Sequence, residues 1–241
     1  MSTIVQSLWI GECLGPIQQL SIQSFLTHGH EFHLYTYGDV TNIPEGTTVR
    51  DASTILPKES IFCYQSGFGK GSYSAFSNQF RYKLVFEKGG WWVDTDVVCL
   101  KPFDLRDDFV FVTEHEKDYA TVGTFVFKSK RQSPYLEYCL RRCESKHKQE
   151  LRWGEIGQEL LEDAVRKFNL LGHVVPAEFF NPIPCFEFLE IVRSGFDVSR
   201  IESSYGVHLW NQMWKSNNVH PDAICNPGSL YGILKAKYFD R

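Results

Sequence analysis

The sequence predicts an α/β protein built on a parallel sheet. Three observations predict it. The first fifty residues run strand, helix, strand; a helical stripe over 74–88 is stopped by Gly89-Gly90; and an apolar run, 91–100, follows that stop directly. Strands alternating with helices of this length are the pattern of βαβ units, whose strands pair in parallel.

The elements follow in order. Residues 3–10, TIVQSLWI, read as a buried first strand, broken by Gly11, Gly15 and Pro16. Apolar positions Ile17, Leu20, Ile22, Phe25 and Leu26 then mark a helix over 16–27. EFHLYTY, 31–37, alternates as a second strand, turn residues follow, and 48–50 form a short third strand. Residues 65–73, QSGFGKGSY, are a Gly-rich loop, either a flexible lid or a phosphate cradle. They lack the Walker order, because Lys70 is followed by Gly71. In the 74–88 helix Phe76, Phe80 and Leu84 share a stripe, and the two glycines end it. Residues 109–113 and 121–127 read as strands, and 133–146 and 157–169 as helices.

A chain of 241 residues suits one α/β domain over 1–241, and the opening strand-helix-strand order points to a nucleotide-binding half, 1–104, followed by a second half, 105–241. The net charge of −4, without any basic block, argues against nucleic-acid binding, and a phosphate-bearing ligand would need a local cation. Seven cysteines without a C-x-x-C pair read as reduced thiols of a cytoplasmic protein. The N-terminus lacks the charge and apolar core of a signal peptide, and no run reaches the ~20 apolar residues of a membrane span. Peripheral membrane association stays open.

The run WWVDTDVVCL, 91–100, is the most informative segment. Its apolar residues have the composition of a central strand, yet it carries Asp94 and Asp96. On a strand, positions 94 and 96 face the same way and Thr95 the other. Two close carboxylates in apolar surroundings are costly unless a positive charge lies between them. Carboxylate oxygens suit hard cations such as Mn²⁺ or Mg²⁺, and a two-carboxylate site leaves positions that phosphate oxygens fill.

Residues 74–104, SAFSNQFRYKLVFEKGGWWVDTDVVCLKPFD, resemble the sugar-binding region of the glycosyltransferases that carry a D-x-D motif. That region is similar to those of bacterial capsule and lipopolysaccharide sugar transferases, yeast-type initiating mannosyltransferases and α-1,4-galactosyltransferases. The resemblance rests on Arg81, Tyr82, Leu84, Gly89, Gly90, Trp92, Asp94 and Asp96. Weaker likenesses lie in Trp9-Ile10-Gly11, in WGEIGQELLEDAV (153–165) and in VHLWNQMW (207–214).

The resemblance implies a GT-A fold, a Rossmann-like sheet flanked by helices, acting on a nucleotide-sugar with retention of configuration. The donor base is expected to be uracil, with guanine as the alternative. It implies that Asp94 and Asp96 hold the cation, with His208 as a third ligand, and that Trp9, Ile10, Gly11, Tyr37, Asn78, Arg81, Asp94 and Thr95 contact the donor. Trp210 and Trp214 would pack the tail onto the site, and Glu155 and Gln158 are weak candidates for placing donor or acceptor. The acceptor is expected to be a glycan or a lipid-linked hydroxyl. The pattern departs at Asn78, where such proteins often carry Asp, and at Gln158, where Pro is common. Glu114, His115 and Glu116 form a polar cluster after a strand, which reads equally as a solvated turn. Two other classes remain open, a metal-dependent nucleotide-sugar pyrophosphatase and a non-catalytic sugar-binding module.

Overall fold

A computed structural model describes residues 3–220 and 226–239. In chain order the elements are β1 (Ile4–Trp9), α1 (Pro16–Thr27), β2 (Glu31–Thr36), β3 (Thr48–Asp51), α2 (Ser74–Lys88), β4 (Gly90–Val93) and β5 (Val97–Cys99). Then come β6 (Val110–His115), β7 (Ala120–Ser129), α3 (Pro134–Glu144), α4 (Gln158–Lys167), β8 (Val174–Val175), β9 (Gly206–His208), α5 (Asn211–Ser216) and α6 (Leu230–Tyr238), with short 3₁₀ turns between.

Seven strands form one mixed, mainly parallel sheet in the order β3-β2-β1-β4-β7-β6-β8. β1 pairs in parallel with β2 on one side and β4 on the other, while β7 runs antiparallel to both β4 and β6. The chain leaves β1 toward β2 and β3, then returns to place β4 on the opposite flank. That reversal opens a crevice at the carboxyl ends of β1 and β4, where open α/β sheets bind ligands.

Adjacent residues of a strand face opposite sides of the sheet, and β4 shows it with two tryptophans. Trp92 packs into a core with Phe80, Leu84 and Phe127 beneath α2, α3 and α4. Trp91 packs into the other core with Phe25, Phe32 and Phe103 on the α1 side. A third cluster joins α1, α5 and α6 through Leu20, Trp214, Tyr231 and Leu234. α2 ends where its pattern ends because Gly89 takes φ +69° as the C-cap. A Cβ there would also lie 2.9 Å from the Arg131 backbone nitrogen, so only glycine fits.

One expectation is corrected. The run 91–100 is not a single strand: β4 stops at Val93, and β5 pairs with β9 in a separate two-stranded sheet. Asp94, Thr95 and Asp96 occupy the turn between them. The Asp94 N–H bonds to the Phe125 carbonyl at 2.8 Å, and the Val97 N–H closes the turn onto the Asp94 carbonyl at 3.1 Å. The six cysteines among the described residues are unpaired, and Cys225 lies outside them. No helix among the described residues is long and apolar enough to cross a membrane.

Candidate active site

The carboxyl ends of β1 and β4 deliver Trp9 and Asp94 to the same edge of the sheet. Two adjoining cavities open there, of about 620 and 590 Å³. Ser74, Arg81, Asp94, Asp96 and Gln212 line both, so the D-x-D turn stands on the wall they share.

Each aspartate is held by different groups. Asp94 keeps 27% of its side-chain surface exposed. The Trp92 indole N–H donates to its Oδ1 at 2.7 Å, and Arg81 Nη2 lies 3.1 Å from the same oxygen. Its Oδ2 has only a 3.5 Å contact with Arg81 Nη1. Arg81 itself is locked. Its Nε donates to the Ser77 carbonyl, its Nη2 to Ser77 Oγ and its Nη1 to the Thr124 carbonyl, and the guanidinium lies 4.8 Å from the Trp92 ring centre.

Asp96 is 14% exposed and belongs to the C-terminal segment as much as to the turn. Its Oδ2 accepts the Asn211 backbone N–H at 2.9 Å, and its Oδ1 lies 3.3 Å from His208 Nε2. Its carbonyl accepts the Leu209 N–H at 2.9 Å. His208 ends β9 and stacks on Phe125 at 4.6 Å, with Trp210 at 4.0 Å on its other flank. Trp210 takes the left-handed conformation, φ +56°, and its indole donates to the Ile183 carbonyl at 2.7 Å.

Burial pushes the Asp94 carboxyl up, and Arg81 only partly offsets it. Burial acts on Asp96 too, but the His208 charge and the hydrogen bonds from His208 and Asn211 outweigh it, so Asp96 is held down. Burial would depress His208, and the facing Asp96 reverses that and raises it.

Sequence reasoning made an ion the main relief for the two acids. The geometry corrects this, because Arg81 meets much of the Asp94 charge directly. One guanidinium against two carboxylates leaves a negative charge, which a protonated His208 answers in the protein alone and which a cation would answer with His208 neutral. Ligand atoms of Asp94, Asp96 and His208 lie within 4.8 Å of one another. His208 Nδ1 is buried and has no hydrogen-bond partner. Two carboxylates and an imidazole form a donor set suited to Mn²⁺ or another hard divalent cation, so the residues fit a metal.

The remaining sequence candidates divide. Trp9, Ile10 and Thr95 line the first cavity, together with Lys70 from the Gly-rich loop and Lys215 from α5. Asn78, Gln158, Glu116 and Trp210 line the second. Gly11 falls outside the lining of both, beyond the end of β1, with the Trp9 indole where a Cβ would point. Tyr37 lies away from both cavities, because its hydroxyl donates to the Leu56 carbonyl and its ring packs toward Phe76. Glu155 is committed to Lys146 and the Arg152 N–H, and Trp214 is buried against Tyr231. Glu114 is no solvated turn residue: it sits on β6, 7% exposed, and faces the second cavity, while His115 is exposed. Sequence reasoning missed Asn211, Phe125 and Lys215. Asn211 acts through its backbone, which no residue pattern marks.

A mainly parallel sheet with paired carboxylates in the turn after β4, beside the end of β1, is the arrangement expected of a D-x-D sugar transferase. The chain carries two regions of such proteins: residues 30–114 match the glycosyltransferase sugar-binding region containing the DXD motif, and residues 128–238 match the alpha 1,4-glycosyltransferase conserved region. It is 26% identical over 176 residues to the lactosylceramide 4-alpha-galactosyltransferase of Rattus norvegicus, covering 67% of this chain and 46% of that protein. It is 26% identical over 151 residues to the alpha-1,4-N-acetylglucosaminyltransferase of Homo sapiens, covering 57% of this chain and 42% of that protein. The chain thus spans about half the length of these curated relatives. In fold it is similar to the PaToxG glycosyltransferase, with a TM-score of 0.50 at 13% identity over 70% of this chain and 69% of the other.

Proposed function

We propose that this chain transfers a hexose from a nucleoside-diphosphate sugar to a hydroxyl of a carbohydrate acceptor, with retention of configuration and with a divalent cation, Mn²⁺ or Mg²⁺, on the donor diphosphate. The observation that carries the reading is the Asp94–Asp96–His208 cluster on the wall between two cavities of opposite character.

The first cavity offers the indole of Trp9 and the ammonium groups of Lys70 and Lys215, which suit a nucleoside and its phosphates. The second offers carboxylates and aromatic rings. UDP is the donor nucleotide of this reading. UDP follows the sequence resemblance, while the matched alpha 1,4-glycosyltransferase region and the galactosyl- and N-acetylglucosaminyltransferases among the relatives support an α-linked product. An α-linked donor giving an α-linked product is retention.

Bound to the three side chains, the cation would act as a Lewis acid for the charge that grows on the departing diphosphate. The chain's own residues do the rest. Arg81, fixed from three sides, presents its guanidinium to both cavities beside Asp94. Lys70 and Lys215 receive the diphosphate as it leaves. The bond from the anomeric carbon to the phosphate oxygen breaks with its electron pair going to the diphosphate. The acceptor oxygen bonds to that carbon on the same face, and its proton passes to the departing phosphate oxygen.

The test is to incubate the chain with a panel of UDP- and GDP-hexoses, with Mn²⁺ and with a chelator, and to identify the nucleotide released. Metal-dependent release of nucleoside diphosphate supports transfer. Nucleoside monophosphate would mean a pyrophosphatase, and no release from any donor a sugar-binding module.

A further inference from the structure

Two polar side chains that line the second cavity are more than nine-tenths buried and take no hydrogen bond from the protein's described residues. Glu114 is 7% exposed and Asn78 6%, and no group among the described residues hydrogen-bonds to either side chain. Their polar atoms open into the cavity, so both are available to a ligand there. They stand on different elements. Asn78 is on α2, three residues before Arg81 and against Gly157, where a Cβ would come within 2.8 Å of its Nδ2. Glu114 is on the β6–β7 hairpin opposite Thr121, in room that Gly123 leaves open: a Cβ there would lie 2.7 Å from Glu114 Oε2.

The charge around Glu114 is one-sided. Arg81 and His208 are engaged by Asp94 and Asp96. Of the other acids of this cavity, Glu159 is answered by Arg152 and Glu162 by Arg166. Glu114 and Glu116 form no ion pair among the described residues, and Glu116 meets only the Cys185 thiol, at 3.5 Å. Burial, foremost, pushes Glu114 up to about 7. Across the cavity stands an aromatic wall, with Phe68 edge-on to Trp153 at 4.9 Å and Tyr64 at 5.3 Å from the same indole. Ring faces opposite hydrogen-bond acceptors match the two surfaces of a sugar, its C–H face and its hydroxyl edge. Above about pH 7, where Glu114 is ionised, an anion placed there would meet uncompensated carboxylates.

We propose that the β6–β7 side of the second cavity is the acceptor subsite, where Glu114 takes a hydrogen bond from an acceptor hydroxyl and the acidic lining restricts the acceptor to an uncharged sugar. The inference rests on the transferase reading above and adds the identity of the acceptor side. Asn78, beside Arg81 and the D-x-D turn, is left to the donor hexose.

The test measures, at pH 8 and with Mn²⁺, transfer from the UDP- or GDP-hexose that the release assay identifies to p-nitrophenyl hexosides and to the matching hexuronides, which differ only in a hydroxymethyl against a carboxylate. Wild-type protein is expected to favour the hexosides at least about 100-fold in kcat/KM, the range of a buried like-charge contact. Glu114→Gln, which keeps an acceptor oxygen but loses its charge, is expected to raise the acceptor KM severalfold, a charged hydrogen bond weakened to a neutral one, with donor KM changed less than the acceptor KM, and to narrow the preference for hexosides. Equal use of hexosides and hexuronides by wild type overturns the proposal. So does an unchanged acceptor KM in Glu114→Gln, or a donor KM that rises in step with it. A wild-type chain that releases no nucleoside diphosphate from any donor gives a different signature and removes the transferase reading itself.

Discussion

The backbone N–H of Asn211 donates to Asp96 Oδ2 at 2.9 Å, joining the D-x-D turn to a segment 115 residues later in the chain. His208 reaches the other oxygen of the same carboxylate at 3.3 Å. The second aspartate of the turn is therefore both a member of the metal-binding set and the fastening of the C-terminal segment that carries His208, Gln212 and Lys215 into the cavities.

Asp96→Ala removes both functions. Transfer is expected to fall by about 100-fold or more, in line with several kcal/mol of lost charge stabilisation. Amide hydrogen exchange of residues 207–214 is expected to accelerate in the same variant, because the Asn211 N–H loses its acceptor. Near-normal turnover in a folded preparation contradicts the assignment.

Arg81 is 3% exposed and makes its bonds to Ser77, Thr124 and Asp94 from one guanidinium. Arg81→Met strips a buried carboxylate of its partner, and breaking such a pair costs about 3–5 kcal/mol. Denaturant unfolding should show that loss, and Asp94→Asn in the same chain should recover part of it, since the uncompensated charge is then gone. A double variant as unstable as the sum of the singles contradicts the pairing.

Glu114 gives stability a pH dependence. Its pKa rises from 4.5 to about 7 on folding, by burial, with Glu116 and Asp94 adding to the rise and His208 and Arg81 opposing it. The folded state then holds the proton longer than the unfolded one, so stability falls as pH climbs from 4.5 to about 7 and is flat above. The shift corresponds to about 3 kcal/mol at most. Without metal, Glu114→Gln should be more stable than wild type at pH 8 and nearly equal to it at pH 4.5. Parallel melting-temperature profiles for the two proteins contradict this.

Gly123→Ala probes the space around Glu114. The added Cβ would come 2.4 Å from the Phe125 ring and 2.7 Å from Glu114 Oε2. Phe125 carries the stacked His208. Overpacking of this kind costs about 1–3 kcal/mol, and it should lower both thermal stability and metal affinity. An unchanged metal affinity means that Phe125 does not position His208.

Much of the scaffold was legible because its signals are local. The apolar stripe of α2 ends at Lys88, and the Gly89-Gly90 pair that ends it in the sequence ends it in the fold. β1, α1, β2 and β7 lie where pattern and turn residues place them. The D-x-D turn was misread as strand because apolar residues flank it on both sides. What breaks it is a bond from Asp94 to Phe125 and the pairing of β5 with β9, and neither leaves a local trace. Glu114 reads in sequence equally as part of a polar cluster or of a solvated turn because His115 and Glu116 follow it; the room for its side chain depends on Gly123 in the neighbouring strand. Trp210 in the left-handed region is a conformation that no non-glycine sequence announces.

The central claim is that Asp94, Asp96 and His208 hold a divalent cation shared with the donor's diphosphate. Calorimetric titration of UDP into the protein, with Mn²⁺ and with a chelator, measures that coupling. Mn²⁺ is expected to tighten UDP binding at least about fivefold, UDP to tighten Mn²⁺ binding by the same factor, and Asp96→Asn to abolish both effects. UDP affinity that is the same with Mn²⁺ and with chelator contradicts the account.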